Sequence, residues 1–527
     1  MPPTPPLSPA DQDMVQPIDA TIVFECEDHI RDFFQNISEN NEQFCAGIRG
    51  LHFAVGTISH DAAAMLKYCI AECGKLMPLK HLHFDEAEDL LASDPGLVNA
   101  FAALTTVKKL HIANVGEHAS DMLMEMKSSI VSAELSLSYD RKWGLPDDAY
   151  YSDPTYLMSA SHATLEKLKA SWATVVDAFC QPRYTSMRRL QLDFVDGPRT
   201  YDYVVPFPNL QYLTVSSYAL KFYKDENVLA SADSLRRANQ KEQEEHGSWR
   251  ALIQVTGPLI DVYMLGLSCF VHTMDLVTTR ESEDHNVSML ESALADGTPN
   301  ILRLTTSLSD ITVDGIVFAL NRENTVRLHE LKLIVKVDPG AVAYHIRETV
   351  DSISSAMRDL RIRFLYLRFE VQATTRTGTQ PETNLAASQK PSYLATMNLK
   401  LLGSRLIGRV SSLERVRVSV VGLGPGEDAI AILSSTEGAR MVMDECEYYS
   451  ESDGGDDSST SSESDEEGIG AQVQPEVGFD EEEDEEAEDG QVTSLGDEGS
   501  GPGVTDKVSG EDAECENAAT TEGSGEL

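Results

Sequence analysis

Cys69, Cys73, His81 and His83 place four side chains that can bind metal within 15 residues. Structural zinc sites recurrently space their ligands as CxxC or HxxxH. Here the cysteines are four residues apart and the histidines are two apart. This spacing favours cysteines that act as small buried apolar residues and histidines on the solvent side of a strand. We therefore predict neither a metal site nor a cofactor.

A glycine-rich segment at residues 422–426, Gly-Leu-Gly-Pro-Gly, follows an apolar run and precedes a stretch with helical character. A strand, a glycine turn and a helix start can bind a dinucleotide through backbone N–H groups. Pro425 removes one of those donors, and Glu427 and Asp428 put negative charge where the phosphate would bind. We predict a simple turn before a last, capping helix at 428–443.

The motifs of common hydrolytic and nucleotide chemistry are absent. The sequence contains no GxSxG, HExxH or Walker A segment, and its acids and histidines form no evident catalytic pair. Because catalysis depends on such local sites and not on the fold, we expect a protein that is not an enzyme and has no catalytic residue.

The net charge of −44 is distributed unevenly along the 527 residues. Residues 444–527 hold 30 acids and one lysine, a net charge of −29, so residues 1–443 carry only −15. A mildly acidic body repels the phosphates of DNA or RNA. We expect no direct binding of nucleic acid.

The acidic segment predicts a disordered tail. Residues 480–486 are seven consecutive acids, and a serine-rich run at 458–464 leads into three more. Such a composition buries too little apolar surface to offset the entropy lost on ordering. Ser462 and Ser464 precede acids at the spacing that acidophilic kinases favour, so both are candidate phosphorylation sites. The tail either solubilises the protein or binds a basic protein.

Cysteine usage and hydropathy bear on the location of the chain. The eight cysteines are sparse and irregularly spaced, which is typical of reduced thiols in the cytoplasm or nucleus. The first residues lack a secretion signal, and no apolar run approaches the length that spans a membrane. We expect a cytoplasmic or nuclear protein with no membrane partner.

Short apolar runs recur between residues 21 and 443, with apolar residues at positions 1, 4 and 6. The full pattern occurs at Leu79/Leu82/Phe84, Val107/Leu110/Ile112, Leu165/Leu168/Ala170, Met187/Leu190/Leu192, Leu210/Leu213/Val215, Val262/Leu265/Leu267, Leu328/Leu331/Leu333, Ile362/Leu365/Leu367 and Leu413/Val416/Val418. Weaker copies show only positions 4 and 6, at Leu135/Leu137, Leu302/Leu304 and Leu51/Phe53. Alternate residues of a strand share a face, so positions 4 and 6 point into a core.

Most steps between successive copies are 22–34 residues, close to the period of roughly 20–29 found in leucine-rich repeats. Two longer steps contain polar insertions at 223–247 and 372–391, and intervening stretches such as 61–76 and 341–357 have helical spacing. A doubly wound α/β domain, which also alternates strands and helices, is the alternative.

We predict an α/β fold, an irregular leucine-rich-repeat-like solenoid with a mainly parallel sheet backed by helices. Its three segments are a disordered Pro-rich N-terminus at 1–20, the repeat domain at 21–443 and the disordered acidic tail at 444–527.

The irregular LxxLxL strands, the long variable helices, Trp249 before a Gly-Pro turn and a predicted strand at 265–269 together resemble fungal F-box/leucine-rich-repeat-type proteins. The resemblance spans residues 45–440. It implies a non-enzymatic protein-interaction scaffold that recruits a partner through its strand face. The F-box itself is not evident, because the first 50 residues lack its Leu-Pro start, its paired helices and its Trp-ended third helix.

The residues expected to bind that protein partner flank or lie between the apolar strand positions. They are Lys80, His81, His83, Lys109, His111, Arg189, Gln191, Asp193, Lys332, Arg363 and Arg417. Most are basic or histidine, although the body is acidic. The second hypothesis is an acidic chaperone that binds basic proteins such as histones through its tail. The sequence does not identify the partner or its pathway.

Overall fold

The structure is a computed structural model, and it describes most of the predicted repeat domain. The described residues are 20–137, 152–175, 182–194, 197–217, 228–279, 285–312, 315–320, 323, 325–337, 343–358, 360–371, 393–422 and 429–436. The predicted N-terminal segment up to residue 19, the whole insertion at 372–391 and the acidic tail with Ser462 and Ser464 lie outside these ranges.

Strands and helices alternate along most of the described chain. The strands are β1 (Ala20–Phe24), β2 (Ile48–Phe53), β3 (His81–Phe84), β4 (Lys109–Val115), β5 (Ser132–Leu137), β6 (Lys167–Ala173), β7 (Arg189–Phe194), β8 (Tyr212–Ser217), β9 (Ala251–Pro258), β10 (Phe270–Val277), β11 (Ile301–Ser307), β12 (Glu330–Val337), β13 (Phe364–Val371), β14 (Arg415–Val421) and β15 (Ala429–Ser434).

The helices that connect them vary from about one turn to about six turns. They are α1 (Glu27–Gly47), α2 (His60–Cys73), α3 (Ala87–Ala92), α4 (Gly96–Ala102), α5 (Glu117–Glu125), α6 (Pro154–Leu157), α7 (Thr200–Val204), α8 (Val228–His246), α9 (Leu259–Leu265), α10 (Asn286–Gly297), α11 (Leu308–Thr312), α12 (Ala343–Met357), α13 (Tyr393–Thr396) and α14 (Leu399–Arg409), with short 3-10 helices at Ser159–Ser161 and Ile316–Ala319. None of these helices is long and apolar enough to cross a membrane.

The strands form one open sheet in which their order equals their order in the chain. Strands β1 to β14 pair in parallel, and β15 pairs antiparallel with β14. This confirms the predicted α/β fold with a mainly parallel sheet backed by helices. It rules out the doubly wound alternative, in which the strand order reverses at a switch point.

The core lies between the sheet and its helices and depends on the alternation of strand residues. Leu51, Leu82 and Leu110 are paired across β2, β3 and β4 and are all buried. Beside them the rings of Phe24, Phe53 and Phe84 stack at centroid distances of 4.7 and 5.2 Å. One apolar row thus continues from repeat to repeat. A single repeat cannot bury its apolar face alone, and the stacked repeats bury it in a common core.

Most of the predicted strand registers and two of the three predicted helices are confirmed. Strands β3, β4, β6, β7, β8, β12, β13 and β14 bury positions 4 and 6 of their pattern, as do β2 and β11 for the weaker copies. Helices α2 and α12 occupy the predicted helical stretches. Strand β1 includes Ala20, the last residue of the segment expected to be unstructured. In β5 the register is wrong by two residues, because Ala133, not Leu135, pairs with Leu110.

The predicted strand at Val262, Leu265 and Leu267 is wrong, and so is the strand at 265–269 on which the family resemblance partly rested. Residues Leu259–Leu265 form α9, all seven of which are buried. An apolar run that is buried on every side carries no periodicity to separate helix from strand. Gly266 ends the helix with φ +53°, a left-handed conformation that glycine adopts easily.

Two strands that the pattern missed flank this helix. Val255 in β9 pairs with Leu213 in β8, and Met274 in β10 pairs with Val255. Gly257 at the next inward position of β9 lies against β8, where a Cβ would approach the carbonyl oxygen of Val215 to 2.5 Å. The glycine interrupts the apolar pattern, which explains why the sequence did not reveal the strand.

The insertion at 223–247 contains α8, and buried polar side chains fix that helix to the array. The Asn239 side chain accepts a hydrogen bond from the Thr200 N–H at 3.0 Å and donates to the carbonyl oxygens of Pro198 and Met264 at 2.8 and 2.7 Å. One turn later, the Gln243 amide donates to the Gly266 carbonyl oxygen at 2.8 Å. These bonds satisfy backbone groups of the α7 and α9 segments that α8 shields from water.

The predicted capping helix at 428–443 is wrong over 429–434, because Ala429–Ser434 is the antiparallel strand β15. Residues 437–443 lie outside the described ranges. Ala431 and Leu433 are buried while Ile430 and Ile432 are exposed, the alternation of a strand with one covered face. Gly422 ends β14 with φ +82°, so the glycine segment begins as a turn. The next described residues, from Ala429, form a strand, so the described residues on either side of this segment provide no helix N-terminus for a phosphate.

Truncating the inward leucines of β12 and β13 tests the register. Leu331 and Leu365 are paired and at most 1% exposed. We expect Leu331→Ala and Leu365→Ala each to lower the free energy of unfolding by about 2–5 kcal/mol, because each leaves a cavity in the core. Urea unfolding measures the change, and Arg368→Ala on the solvent side of β13 should stay within about 0.5 kcal/mol of wild type. If either leucine variant had the same free energy of unfolding as wild type, the register would be wrong.

Removing the Asn239 amide tests the docking of α8. We expect Asn239→Ala to cost about 2–4 kcal/mol of unfolding free energy, since three buried backbone groups lose their partner at roughly 1–3 kcal/mol each without full additivity. Lys241→Ala, on the exposed side of the same helix, is the control. Equal stability of the two variants would contradict a role for this network.

Candidate functional site

The face of the sheet that points away from the apolar core presents aligned rows of side chains. Because the strands pair in register, equivalent residues of successive strands lie side by side. The first row is His81, Lys109, Ser132, Lys167, Arg189, Tyr212, Gln254, Thr273, Ile301, Glu330, Phe364 and Arg415. The second row is His52, His83, His111, Glu134, Lys169, Gln191, Thr214, Thr256, Asp275, Arg303, Lys332, Tyr366 and Arg417. We call the two rows together the open face.

The structure brings most of the sequence-predicted partner residues onto this face. Those in the first row are His81, Lys109 and Arg189, and those in the second row are His83, His111, Gln191, Lys332 and Arg417. Asp193 occupies the next outward position of β7. Lys80 and Arg363 stand one residue before β3 and β13, at the edge of the sheet. Arg363 is engaged there by Glu414, with Nε and Oε1 2.6 Å apart.

The sequence analysis missed several charged members of the open face. Lys167, Lys169, Arg303 and Arg415 are additional bases, while Glu134, Asp275 and Glu330 are acids. The two rows thus hold eight lysines or arginines and three acids, so the face is basic but interrupted by negative charge. Position 5 of each strand pattern faces outward, and that rule would have revealed Lys169 and Arg303.

A shallow groove of about 340 Å³ runs over the open face between β5 and β9. Its lining includes Glu134, Lys169, Arg189, Gln191 and Tyr212. The Arg189 guanidinium lies 4.5 Å from the centre of the Tyr212 ring, a distance at which a cation is attracted to an aromatic face. Small-molecule pockets are mostly apolar and enclose their ligand, whereas this groove is charged and open. Its chemistry suits a polar protein segment.

Glu134 connects the basic part of the groove to the histidines of the neighbouring strands. Its Oε1 lies 2.5 Å from the Lys169 Nζ, and its Oε2 lies 3.3 Å from the His111 Nδ1. The hydrogen bond from Lys169 is the largest cause that holds the pKa of Glu134 below its usual value; burial opposes it, and His111 acts in the same direction as Lys169. The carboxylate therefore stays charged and orients both neighbours.

Three histidines occupy consecutive places of the second row. The rings of His52 and His83 are stacked at 4.0 Å with an interplanar angle of 4°, and the His111 ring is 4.0 Å from that of His83 at 66°. Burial, followed by the neighbouring His111 and His52, lowers the pKa of His83. Asp85 follows β3 and contacts both stacked rings, with Oδ2 3.1 Å from the His52 Nε2 and Oδ1 3.0 Å from the His83 Nε2.

The cysteine and histidine candidates of the sequence analysis do not meet. Cys69 lies in α2 and is fully buried in the core, where burial raises the pKa of its thiol to about 12. His81 and His83 belong to the open face on the opposite side of the sheet. The Cys73 side chain is outside the described part of the structure. The expectation of a buried apolar cysteine and solvent-facing histidines is confirmed for Cys69, His81 and His83. Among the described residues, the group whose donor atoms do converge is His52, His83 and Asp85.

The chain matches no protein-family model and no curated protein.

The contact between Glu134 and Lys169 yields a prediction for the charge of the groove. We expect Lys169→Met to raise the pKa of Glu134 toward its ordinary value, because the neighbouring cation favours the carboxylate. Carboxyl ¹³C chemical shifts of labelled glutamate, followed through an acid titration, measure the change. Lys167→Met, on the same strand in the first row, is the control. An identical titration of Glu134 in wild type and Lys169→Met would contradict the contact.

Proposed function

We propose that this chain is a non-enzymatic protein-interaction scaffold of the leucine-rich-repeat type, which binds a partner protein through the open face. The observation that carries the proposal is the alignment of charged, aromatic and amide side chains in two continuous rows on a rigid sheet. From β3 to β14 these rows run roughly 50 Å at the usual spacing of strands. A standard interface needs about 800 Å² from each partner, and a surface of this length provides it.

The charge of the open face supports a partner with an acidic surface or segment. Eight bases outnumber three acids on the face, whereas the first 443 residues as a whole carry a net charge of −15. Such local complementarity raises association rates and discriminates between partners more than it raises affinity. Arg189 with Tyr212 provides the arginine and tyrosine that are enriched among the residues that dominate binding at interfaces. Tyr366, whose ring lies 5.0 Å from the Lys332 Nζ, adds a second tyrosine to the face.

The proposal does not extend to a ligase adaptor. Residues Ala20–Phe53 form a strand, a helix and a strand that begin the sheet, where an F-box would need three packed helices. We place the scaffold in the cytoplasm or nucleus on its cysteine usage.

Charge reversal in the groove tests the proposal in the full chain. The face variant is Lys169→Glu with Arg189→Glu, and the matched control is Arg237→Glu with Lys241→Glu on the exposed side of α8. Quantitative affinity enrichment from cells compares both with wild type. We expect the specific partner to fall at least tenfold with the face variant and to be retained by the control, because only the former repels an acidic ligand.

Deletion of residues 444–527 distinguishes the scaffold hypothesis from the acidic-chaperone hypothesis. A scaffold retains its partner without the tail, whereas a chaperone that acts through the tail loses its basic clients. The scaffold would be contradicted, and the chaperone favoured, if the face variant enriched the partner as well as wild type does while the tail deletion lost it.

A further inference from the structure

We propose that His52, His83 and Asp85 form a binding site for a divalent transition-metal ion, with Zn²⁺ as its probe. The three residues meet at the β2–β3 end of the open face. This inference departs from the sequence-based expectation of no metal site, and it does not depend on the proposed scaffold function.

The sheet itself holds the three side chains together. His52 and His83 are paired residues of adjacent parallel strands, so their side chains leave the sheet at the same level. Asp85 stands two residues after His83, and its N–H donates to the Phe53 carbonyl oxygen at 3.0 Å. That bond extends the β2–β3 ladder past His83, and residues two apart on a strand share a face. The ligands thus need no loop to be ordered before they converge.

The distances between donor atoms suit a shared ion. The Asp85 Oδ2 lies 3.1 Å from the His52 Nε2 and its Oδ1 lies 3.0 Å from the His83 Nε2. One donor atom from each of the three residues lies within 4.8 Å of the other two. Zinc bonds of about 2.0–2.2 Å place neighbouring ligand atoms of a tetrahedral site about 3.3–3.6 Å apart. The two carboxylate–imidazole separations, which involve different oxygens of Asp85, are slightly shorter than this, so a shared ion requires the imidazole nitrogens to turn toward one point.

His83 gives an independent indication of a missing ligand. Its Nε2 is buried and has no hydrogen-bond partner, because the approach to Asp85 is close but poorly aligned. The His52 Nε2, in contrast, makes a proper hydrogen bond with Asp85. Buried polar atoms nearly always find a partner, and an exception calls for an explanation such as a bound ion. A metal would use the lone pair that this nitrogen leaves unused.

Binding also predicts a local rearrangement. The lone pair of an imidazole lies in the plane of its ring, so the parallel rings of His52 and His83 must tilt for both nitrogens to point at one ion. Both side chains retain solvent exposure, 25% and 35%, which leaves room for the tilt. Two imidazoles with one carboxylate favour Zn²⁺, Co²⁺, Ni²⁺ or Cu²⁺ over the oxygen-seeking Mg²⁺ and Ca²⁺. The remaining coordination positions face the solvent side of the sheet.

The test uses tag-free, full-length protein. Calorimetric titration with Zn²⁺ is run in excess Ca²⁺, which occupies tail carboxylates but competes poorly for imidazole. Visible absorption of Co²⁺ reports nitrogen coordination in parallel. The variants are His52→Asn, His83→Asn and Asp85→Asn, with His81→Asn on the same strand and face as the matched control. Melting curves without metal verify that each variant is folded.

We expect one Zn²⁺ equivalent that persists in Ca²⁺, a loss of affinity of at least tenfold in each of the three ligand variants, and wild-type affinity in His81→Asn. Zn²⁺ should raise the melting temperature of wild type and of the control more than that of the ligand variants. Any of three results would overturn the site. Wild type could bind no equivalent of Zn²⁺ in excess Ca²⁺, His83→Asn could keep the wild-type affinity for Zn²⁺, or His81→Asn could lose as much affinity as the ligand variants. Partner enrichment by the groove is measured separately, so either proposal can fail alone.

Discussion

Hydrogen bonding between each strand and the strand before it in the chain, parallel from β1 to β14, is the interaction on which the structure depends. At the edge of the sheet the Lys80 N–H donates to the Arg49 carbonyl oxygen, and the Lys108 N–H donates to that of Lys80. The same relation continues to Arg363 and Glu414 near the end of the array. No strand can shift without breaking its bonds to both neighbours, so the register of one repeat sets that of the next.

The register divides the residues of every strand between two environments. In β12 the buried Leu331 and Leu333 alternate with Glu330 and Lys332, which face outward. A slip by one residue would bury charges and expose leucines, and the free energy of core burial therefore also maintains the open face. The open face is thus maintained by the same contacts that stabilise the fold, and it needs no separate scaffold of loops.

The sequence predicted the repeats where strand residues alternate cleanly, as in β3, β12 and β13. The sequence-based prediction failed where the apolar spacing of a segment fits both a helix and a strand, or where the spacing is interrupted. The buried helix α9 displays the same apolar spacing as a strand, and Gly257 interrupts the pattern of β9. Outward residues such as His83, His111 and Arg417 were placed correctly by alternation. The meeting of His52 with Asp85 was not predictable, because 33 residues separate them and only the register aligns their strands.

The chain-order arrangement of the strands also bears on how the protein is made. A ribosome delivers the chain from its N-terminus, and here each emerging strand finds its pairing partner already synthesised. Only short stretches of sequence separate most partners, which favours rapid folding and limits the time that an unpaired strand edge is exposed. The longest sequence separation between paired strands is that between β13 and β14, where Leu365 and its partner Val416 are 51 residues apart. Folding during synthesis would pause there, with β13 as the exposed edge of a sheet that lacks only β14 and β15.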